Sequence, residues 1–227
     1  MKVHKQETQA SLTPRMALEI LKEGNGRFIK NLKAQRDLLA QVNDTHAGQW
    51  PFAIILSCID SRTSAELIFD QGLGDIFSVR IAGNIVNTDI IGSMEFACKV
   101  AGSKLIVVLG HSKCGAIKGA CDHVEMGNLT ELLSKIQPAV YLEKTTAENR
   151  TSTNNTFVEN VASINVRRST EQIIERSYIL EQMLEKGEIG IVGAMHNIKT
   201  GKVEFYKDAI FINDELNPNF SLTDFRN

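Results

Sequence analysis

Phe52-Ala53-Ile54-Ile55-Leu56-Ser57-Cys58-Ile59-Asp60-Ser61-Arg62 and, further along, Leu105-Ile106-Val107-Val108-Leu109-Gly110-His111-Ser112-Lys113-Cys114 decide the architecture. Each opens as a short unbroken apolar run, the pattern of a parallel strand buried on both faces. Each then turns polar, and a helix is predicted next, from Ser64 to about Asp70 after the first run and from near Gly115 after the second. The same alternation continues around them. Ile76 to Ile81 reads as a strand, Ile91 to Ala101 as a helix ended by Gly102, and Ile189 to Ala194 as a last core strand. Asn154 to Glu185 reads as mostly helical, with Ile173, Ile174, Ile179, Leu180 and Leu184 on its buried side. Lys199-Thr200-Gly201-Lys202 is a turn into Val203 to Tyr206. Strands alternating with helices predict an α/β fold with a mostly parallel central sheet flanked by helices.

Ahead of this body lies a predicted N-terminal helical arm, residues 1–48, joined to an α/β core of residues 49–227 in a single domain. Thr13-Pro14 is a helix start, with Thr13 as the N-cap and Pro14 at the first helical position. Met16, Ala17, Ile20, Leu21, Phe28 and Ile29 follow at helical spacing, and Gly24 and Gly26 are expected to interrupt or divide the helix. Its apolar face could pack on its own domain or on a partner subunit.

A chain of 227 residues with 43% hydrophobic and 23% charged residues has the composition of an ordinary globular protein. The formal net charge of −2 gives no case for nucleic acid or an acidic membrane as partner. No apolar run approaches the roughly 20 residues that span a bilayer. The start, Met1-Lys2-Val3-His4-Lys5-Gln6-Glu7, is basic but lacks the apolar segment of a secretory signal. Four cysteines in a chain of this length make no disulfide framework, and the expectation is a cytoplasmic protein with free or metal-bound thiols. No phosphate-binding loop and no Ser-His-Asp signature is present.

Cys58, His111 and Cys114 are placed at the carboxyl ends of the two apolar strands, where open α/β sheets bind their ligands. If the strands are neighbours, two thiols and an imidazole converge. These are ligand types preferred by Zn²⁺, and three protein ligands leave a fourth tetrahedral position for water or substrate, as in catalytic zinc sites. The spacing His111-x-x-Cys114 fits one turn opening a helix. Asp60 could accept a hydrogen bond from a water on the metal or could bind the metal itself, and Arg62 can hold that carboxylate with both arms of its guanidinium. Hydration or hydrolysis is the chemistry this set suggests.

The segments Ser57-Cys58-Ile59-Asp60-Ser61-Arg62, Val79-Arg80-Ile81-Ala82-Gly83-Asn84, Gly92-Ser93-Met94-Glu95-Phe96-Ala97 and Gly110-His111-Ser112-Lys113-Cys114-Gly115 stand in the order in which similar segments stand in one family. The sequence resembles the β-class carbonic anhydrases from about Leu12 to Tyr206. The resemblance implies a lyase that reversibly hydrates CO₂ to bicarbonate and a proton by a zinc-hydroxide mechanism. It implies one Zn²⁺ per chain on Cys58, His111 and Cys114, with Asp60 and Arg62 as the catalytic dyad. It also implies that Gln49 and the backbone N–H of Gly115 bind substrate, and that Phe77 and Ala82 line an apolar CO₂ pocket. Phe96 stands where some plant members carry a tyrosine.

Some members of that family have a second bicarbonate site that switches the enzyme off, built from a tryptophan three positions before the first Cys, an arginine and a tyrosine near the last strand. Here those positions hold Ile55, Arg80 and His196. The resemblance therefore implies an open, type I-like site without that switch, in which Asp60 stays off the metal at neutral or higher pH and Arg80 is structural. CO₂ and bicarbonate are the implied partners, together with further copies of the chain in a homodimer or homotetramer. His46, His123 and His196 are proton carriers by residue type only. Two rivals remain at this point. One is a non-catalytic zinc or redox protein using Cys98 and Cys121 as extra thiols. The other is a related zinc hydrolase of a CO₂-like molecule such as carbon disulfide.

Overall fold

In the computed structural model, which describes residues 3–215, three helices precede the sheet: α1 (Gln6–Ala10), α2 (Pro14–Ile29) and α3 (Leu38–Thr45). Met1 and Lys2, part of the basic start, and 216–227, the end of the expected single domain, lie outside the described residues. The body follows as β1 (Ala53–Ser57), α4 (Ala65–Ile68), β2 (Ile76–Arg80), a 3₁₀ turn at Ala82–Asn84, α5 (Thr88–Glu95) continued by a π turn at Phe96–Val100, and β3 (Leu105–His111). Then come α6 (Gly115–Cys121), α7 (Gly127–Ser134), α8 (Gln137–Leu142), α9 (Asn155–Arg176), α10 (Tyr178–Glu185), β4 (Gly190–His196) and β5 (Val203–Ile212).

The strands form a five-stranded sheet in the order β2-β1-β3-β4-β5. β1 is parallel to β2 and β3, and β3 to β4, while β5 returns antiparallel to β4. The expected α/β class with a mostly parallel, helix-flanked sheet is what the chain adopts. Alternation along the strands explains the unbroken apolar runs. Ile54, Leu56, Ile106 and Val108 face a layer containing Met94, Val166, Ile173 and Leu180. Ala53, Ile55, Leu105, Val107 and Leu109 face the opposite layer, with Leu18, Leu21, Ile68 and Phe69. Both faces are covered, which is why the residues from Ala53 to Leu56 and from Leu105 to Leu109 are all apolar and buried.

The long N-terminal helix belongs to that second layer. Thr13 caps α2 by accepting from the Met16 N–H, and Ala17, Leu18 and Leu21 are fully buried in the chain's own core. Burying each leucine stabilises the fold by roughly 1.5–3 kcal/mol. Gly24 and Gly26 do not divide the helix, which runs through both. Gly24 instead marks a close approach: a Cβ there would lie 1.8 Å from the Phe69 carbonyl oxygen. Main chain cannot swing aside as a side chain can. Gly24→Ala should therefore push α2 off the end of α4 and cost about 3 kcal/mol, the upper part of the range for overpacking. Denaturant unfolding would measure it, and a midpoint equal to that of the parent would show that the two segments separate freely.

Other boundaries differ from expectation for local reasons. The helix expected from Ile91 begins at Thr88, because Asn87 caps it by accepting from the Ile90 N–H. The stretch from Asn154 to Glu185 is two helices, broken at Ser177, whose hydroxyl accepts from the Leu180 N–H to start α10. The reorientation leaves Ile179 exposed, while Ile173, Ile174, Leu180 and Leu184 are buried.

Candidate metal centre

β1 and β3 are hydrogen-bonded neighbours with Ser57 opposite Leu109, so Cys58 leaves its strand close to where His111 ends the next one. β3 is longer than the sequence suggests. It pairs with β4 as far as His111 opposite His196, and His111 is thus its last residue rather than a residue beyond it. Nor do His111 and Cys114 share a helical turn. Lys113 takes a left-handed conformation (φ 56°), its N–H donating to Glu159 Oε1 at 2.8 Å, and Cys114 is the N-cap of α6. The strand end and the cap aim their side chains at one point. One ligand atom from each of Cys58, His111 and Cys114 lies within 4.8 Å of the others, and all three residues are buried.

The donors match zinc in type and in spacing. The two Sγ atoms are 3.9 Å apart. Zn–S bonds of 2.3 Å at a tetrahedral angle place two sulfurs about 3.8 Å apart. His111 Nδ1 lies 3.0 Å from the Ser112 carbonyl oxygen, which can only accept, so Nδ1 carries the hydrogen and Nε2 holds a free lone pair. That Nε2 is buried without a hydrogen-bond partner. An unpaired buried acceptor is costly, and a metal is the partner its tautomer prepares it for.

The thiols are electrostatically coupled. The hydrogen bond from Cys114 to Cys58 is the main cause that draws Cys58 down to about 4, against burial, with help from the Asp60 and Gly83 backbone N–H groups. Cys114 shifts upward because it donates that bond and because it is buried. One proton is held between two sulfurs, and a dication would displace it, since metal binding requires deprotonated ligands.

Asp60 sits beside this cluster, its Oδ2 4.0 Å from His111 Nε2. Arg62 donates from Nε to Oδ1 at 2.9 Å, from Nη2 to Oδ2 at 2.7 Å, and from its backbone N–H to Oδ1 at 3.0 Å. This fork is the main cause that holds the Asp60 carboxyl well below the usual carboxylate range. The loop is braced from behind. Arg80 donates to the Cys58 and Asp60 carbonyl oxygens at 3.0 and 2.7 Å, and the buried Thr63 hydroxyl reaches the same two at 3.2 and 2.9 Å. Arg80 is thus tied to main chain, whereas the role of Thr63 carried no sequence signal.

The remaining positions are spread out. Gly115 is the exposed first residue of α6, and Ala82 is half-buried in the 3₁₀ turn. Phe77 lies on edge strand β2 and lines a concave region of about 600 Å³ with Val79, Thr88 and Phe96. None of the ligands is in its wall. Gln49 is exposed in the loop ahead of β1, at the end of that strand opposite Cys58. His196 is buried beside His111, and both its ring nitrogens lack partners. Cys98 and Cys121 are buried free thiols, pushed up to about 12 and about 11, chiefly by burial. A redox sensor needs a low-pKa, accessible thiol, and neither qualifies.

A mostly parallel α/β sheet carrying a buried Cys₂His cluster at the carboxyl ends of adjacent strands, with a locked Asp–Arg pair alongside, defines a protein with a three-ligand metal site. Residues 53–203 match the family model described as carbonic anhydrase. The chain is 33% identical over 198 residues to a carbonic anhydrase of Mycolicibacterium smegmatis, an alignment covering 84% of this chain and 92% of that protein. In fold it is similar to the β-carbonic anhydrase CafA of Aspergillus fumigatus, with a TM-score of 0.67, 24% identity, and coverage of 93% of this chain and 97% of that one. It is also similar to one of two tetrameric β-carbonic anhydrases of Sordaria macrospora, with a TM-score of 0.64, 24% identity, and coverage of 71% and 83%. The chain belongs to the β-carbonic anhydrase family.

Proposed function

We propose that the protein catalyses the reversible hydration of CO₂ to bicarbonate and a proton, with one Zn²⁺ per chain on Cys58, His111 and Cys114. The observation that carries this reading is the pair of sulfurs at zinc spacing facing an unpartnered imidazole nitrogen, with an ionised carboxylate fixed beside them. A zinc ion held by Cys58, His111 and Cys114 would supply a water nucleophile near neutral pH and would polarise oxygen.

The chain's own residues do the rest. Asp60 accepts a hydrogen bond from the attacking water oxygen and so sets the direction of its lone pair. Arg62 keeps Asp60 ionised and aimed, so the carboxylate stays off the metal, which is the open, type I-like arrangement. Phe77 and Ala82 are proposed to provide apolar surface for CO₂, and Gln49 and the Gly115 N–H to bind the oxygens of bicarbonate. Phe77 lines a concavity that holds none of the three ligands, and Gln49 precedes the strand that Cys58 follows, which fits a homodimer or homotetramer in which subunits bring such surfaces together. The sheet ends at β2, and the neighbouring Phe96 and Val100 are exposed apolar residues. The tetrameric relatives support the same reading. Among the described residues no helix is long and apolar enough to cross a membrane. A cytoplasmic setting is proposed from the free cysteines.

Stopped-flow CO₂ hydration by purified protein, with metal content measured in the same sample, tests the proposal. One zinc per chain and turnover well above the buffer rate are expected. A zinc-loaded protein at the buffer rate would favour a non-catalytic metal protein, and carbon disulfide consumption in its place would favour the hydrolase.

A further inference from the structure

α9 packs against the sheet with Val166, Ile173 and Ile174, yet the same helix also buries Asn165, Ser169 and Thr170. An amide buried among apolar groups costs roughly 1–3 kcal/mol unless it is hydrogen-bonded. Asn165 Nδ2 donates to the Gly83 carbonyl oxygen at 2.9 Å, and one turn further on Ser169 Oγ donates to the Asn84 carbonyl oxygen at 3.4 Å. Gly83 and Asn84 are consecutive left-handed residues, φ 68° and 43°. Such a conformation disfavours a side chain, and a Cβ on Gly83 would meet Ile136 Cδ1 at 2.6 Å. The turn therefore needs an anchor, and it has one consequence for the cluster: the Gly83 N–H donates to Cys58 Sγ at 3.4 Å.

We infer that Asn165 is a positioning residue for the Cys58 thiolate, acting through the main chain of Gly83, whose carbonyl it holds and whose N–H meets the sulfur. The inference rests on Cys58 being a metal ligand, as proposed above. An N–H donated to a thiolate withdraws charge from the sulfur and fixes its direction, and outer partners of this kind tune the metal that the sulfur holds. Asn165 is the side chain that holds Gly83 from its carbonyl side. Ser169 holds the next carbonyl, which has no link to the sulfur, and so serves as a matched comparison.

The test uses Co²⁺ as the probe in the full-length protein, read by its thiolate-to-cobalt absorption and by competition with a chelator. Asn165→Leu, close in size but without a donor, should move the absorption to longer wavelength and weaken metal binding about 10-fold, the lower end of what loss of an outer partner costs. Ser169→Ala should leave both readouts at parent values. If Asn165→Leu does not fold, Asn165→Ala carries the same expectation. A folded Asn165 variant with unshifted absorption and affinity overturns the inference, as does an equal shift in Ser169→Ala. A parent protein that binds Co²⁺ without any thiolate absorption removes Cys58 from the ligand set, and with it both readings.

Discussion

Cys58→Ser is expected to yield folded protein that retains no stoichiometric zinc and hydrates CO₂ at the buffer rate. The substitution removes one atom type from a buried site and little volume, so β1 and its packing should survive. What disappears is the anion. The Cys58 thiol is drawn down to about 4 by the Cys114 hydrogen bond and its other donors, whereas an alcohol in the same place stays neutral. A neutral hydroxyl is a poor ligand for a metal that prefers thiolate and imidazole. The loss of metal should exceed the roughly 100-fold that removal of an outer partner can cost. Cys98→Ser and Cys121→Ser supply the comparison. Both cysteines are buried free thiols outside the cluster, and each variant should keep its zinc and its turnover. Metal analysis of the three variants after dialysis decides the matter: full zinc occupancy in Cys58→Ser would remove Cys58 from the centre.

The parts of this architecture that sequence reveals are those written in periodicity and residue type. Ile54-Ile55-Leu56 and Ile106-Val107-Val108 are legible as strands buried on both faces because each run is short, wholly apolar and rich in β-branched residues. The ligands are legible because two thiols and an imidazole follow such strands. What holds the ligands is not. Arg80 reaches Cys58 and Asp60 across 22 and 20 residues, and Asn165 reaches Gly83 across 82. Each bonds a main-chain carbonyl, which every residue type offers, so no pattern in the sequence marks the partner. Left-handed Lys113 is hidden for a related reason. A lysine carries no sign that its φ is positive, and the contact that holds its N–H comes from Glu159 on another helix. Gly24 was legible as unusual in a helix, but its cause, the Phe69 carbonyl pressed against it, lies on a different element.

Asp60→Asn should separate metal binding from turnover. Zinc content should stay at the parent level, because Asp60 is not one of the converging ligands and its nearest oxygen is 4.0 Å from His111 Nε2. Stability should change little. The pair with Arg62 is an ion pair whose arginine is largely exposed, and such pairs contribute about 1 kcal/mol or less. Turnover should fall by on the order of 10²–10⁴, the range for loss of a positioned group that manages a proton. An amide is the same size but carries hydrogens on one of the two atoms that now accept from Arg62, so the fork cannot be remade. Arg62 would then compete for the remaining oxygen, and the acceptor that aims the attacking water would be lost.

The pH profile sharpens this expectation. Arg62 holds the Asp60 carboxyl well below its ordinary range, so in the folded protein Asp60 is ionised above the ordinary carboxylate pKa and its pairing is lost only as pH falls through that depressed value. A midpoint of CO₂ hydration near neutrality therefore cannot report Asp60, and is expected to report water activated at the centre. Removing a negative charge beside that water makes it more acidic, if anything. The plateau of the rate should therefore drop in Asp60→Asn while its midpoint stays in place or moves downward. A midpoint that moved upward, or full hydration by the zinc-loaded variant, would mean that Asp60 does not act on the attacking oxygen. Arg62→Ala should fall between the two proteins, since it leaves the carboxylate charged but free to turn. In that variant alone the carboxylate is released toward the metal, and zinc-edge spectra that changed with Arg62→Ala but not with Asp60→Asn would identify Arg62 as the residue that keeps the coordination position open.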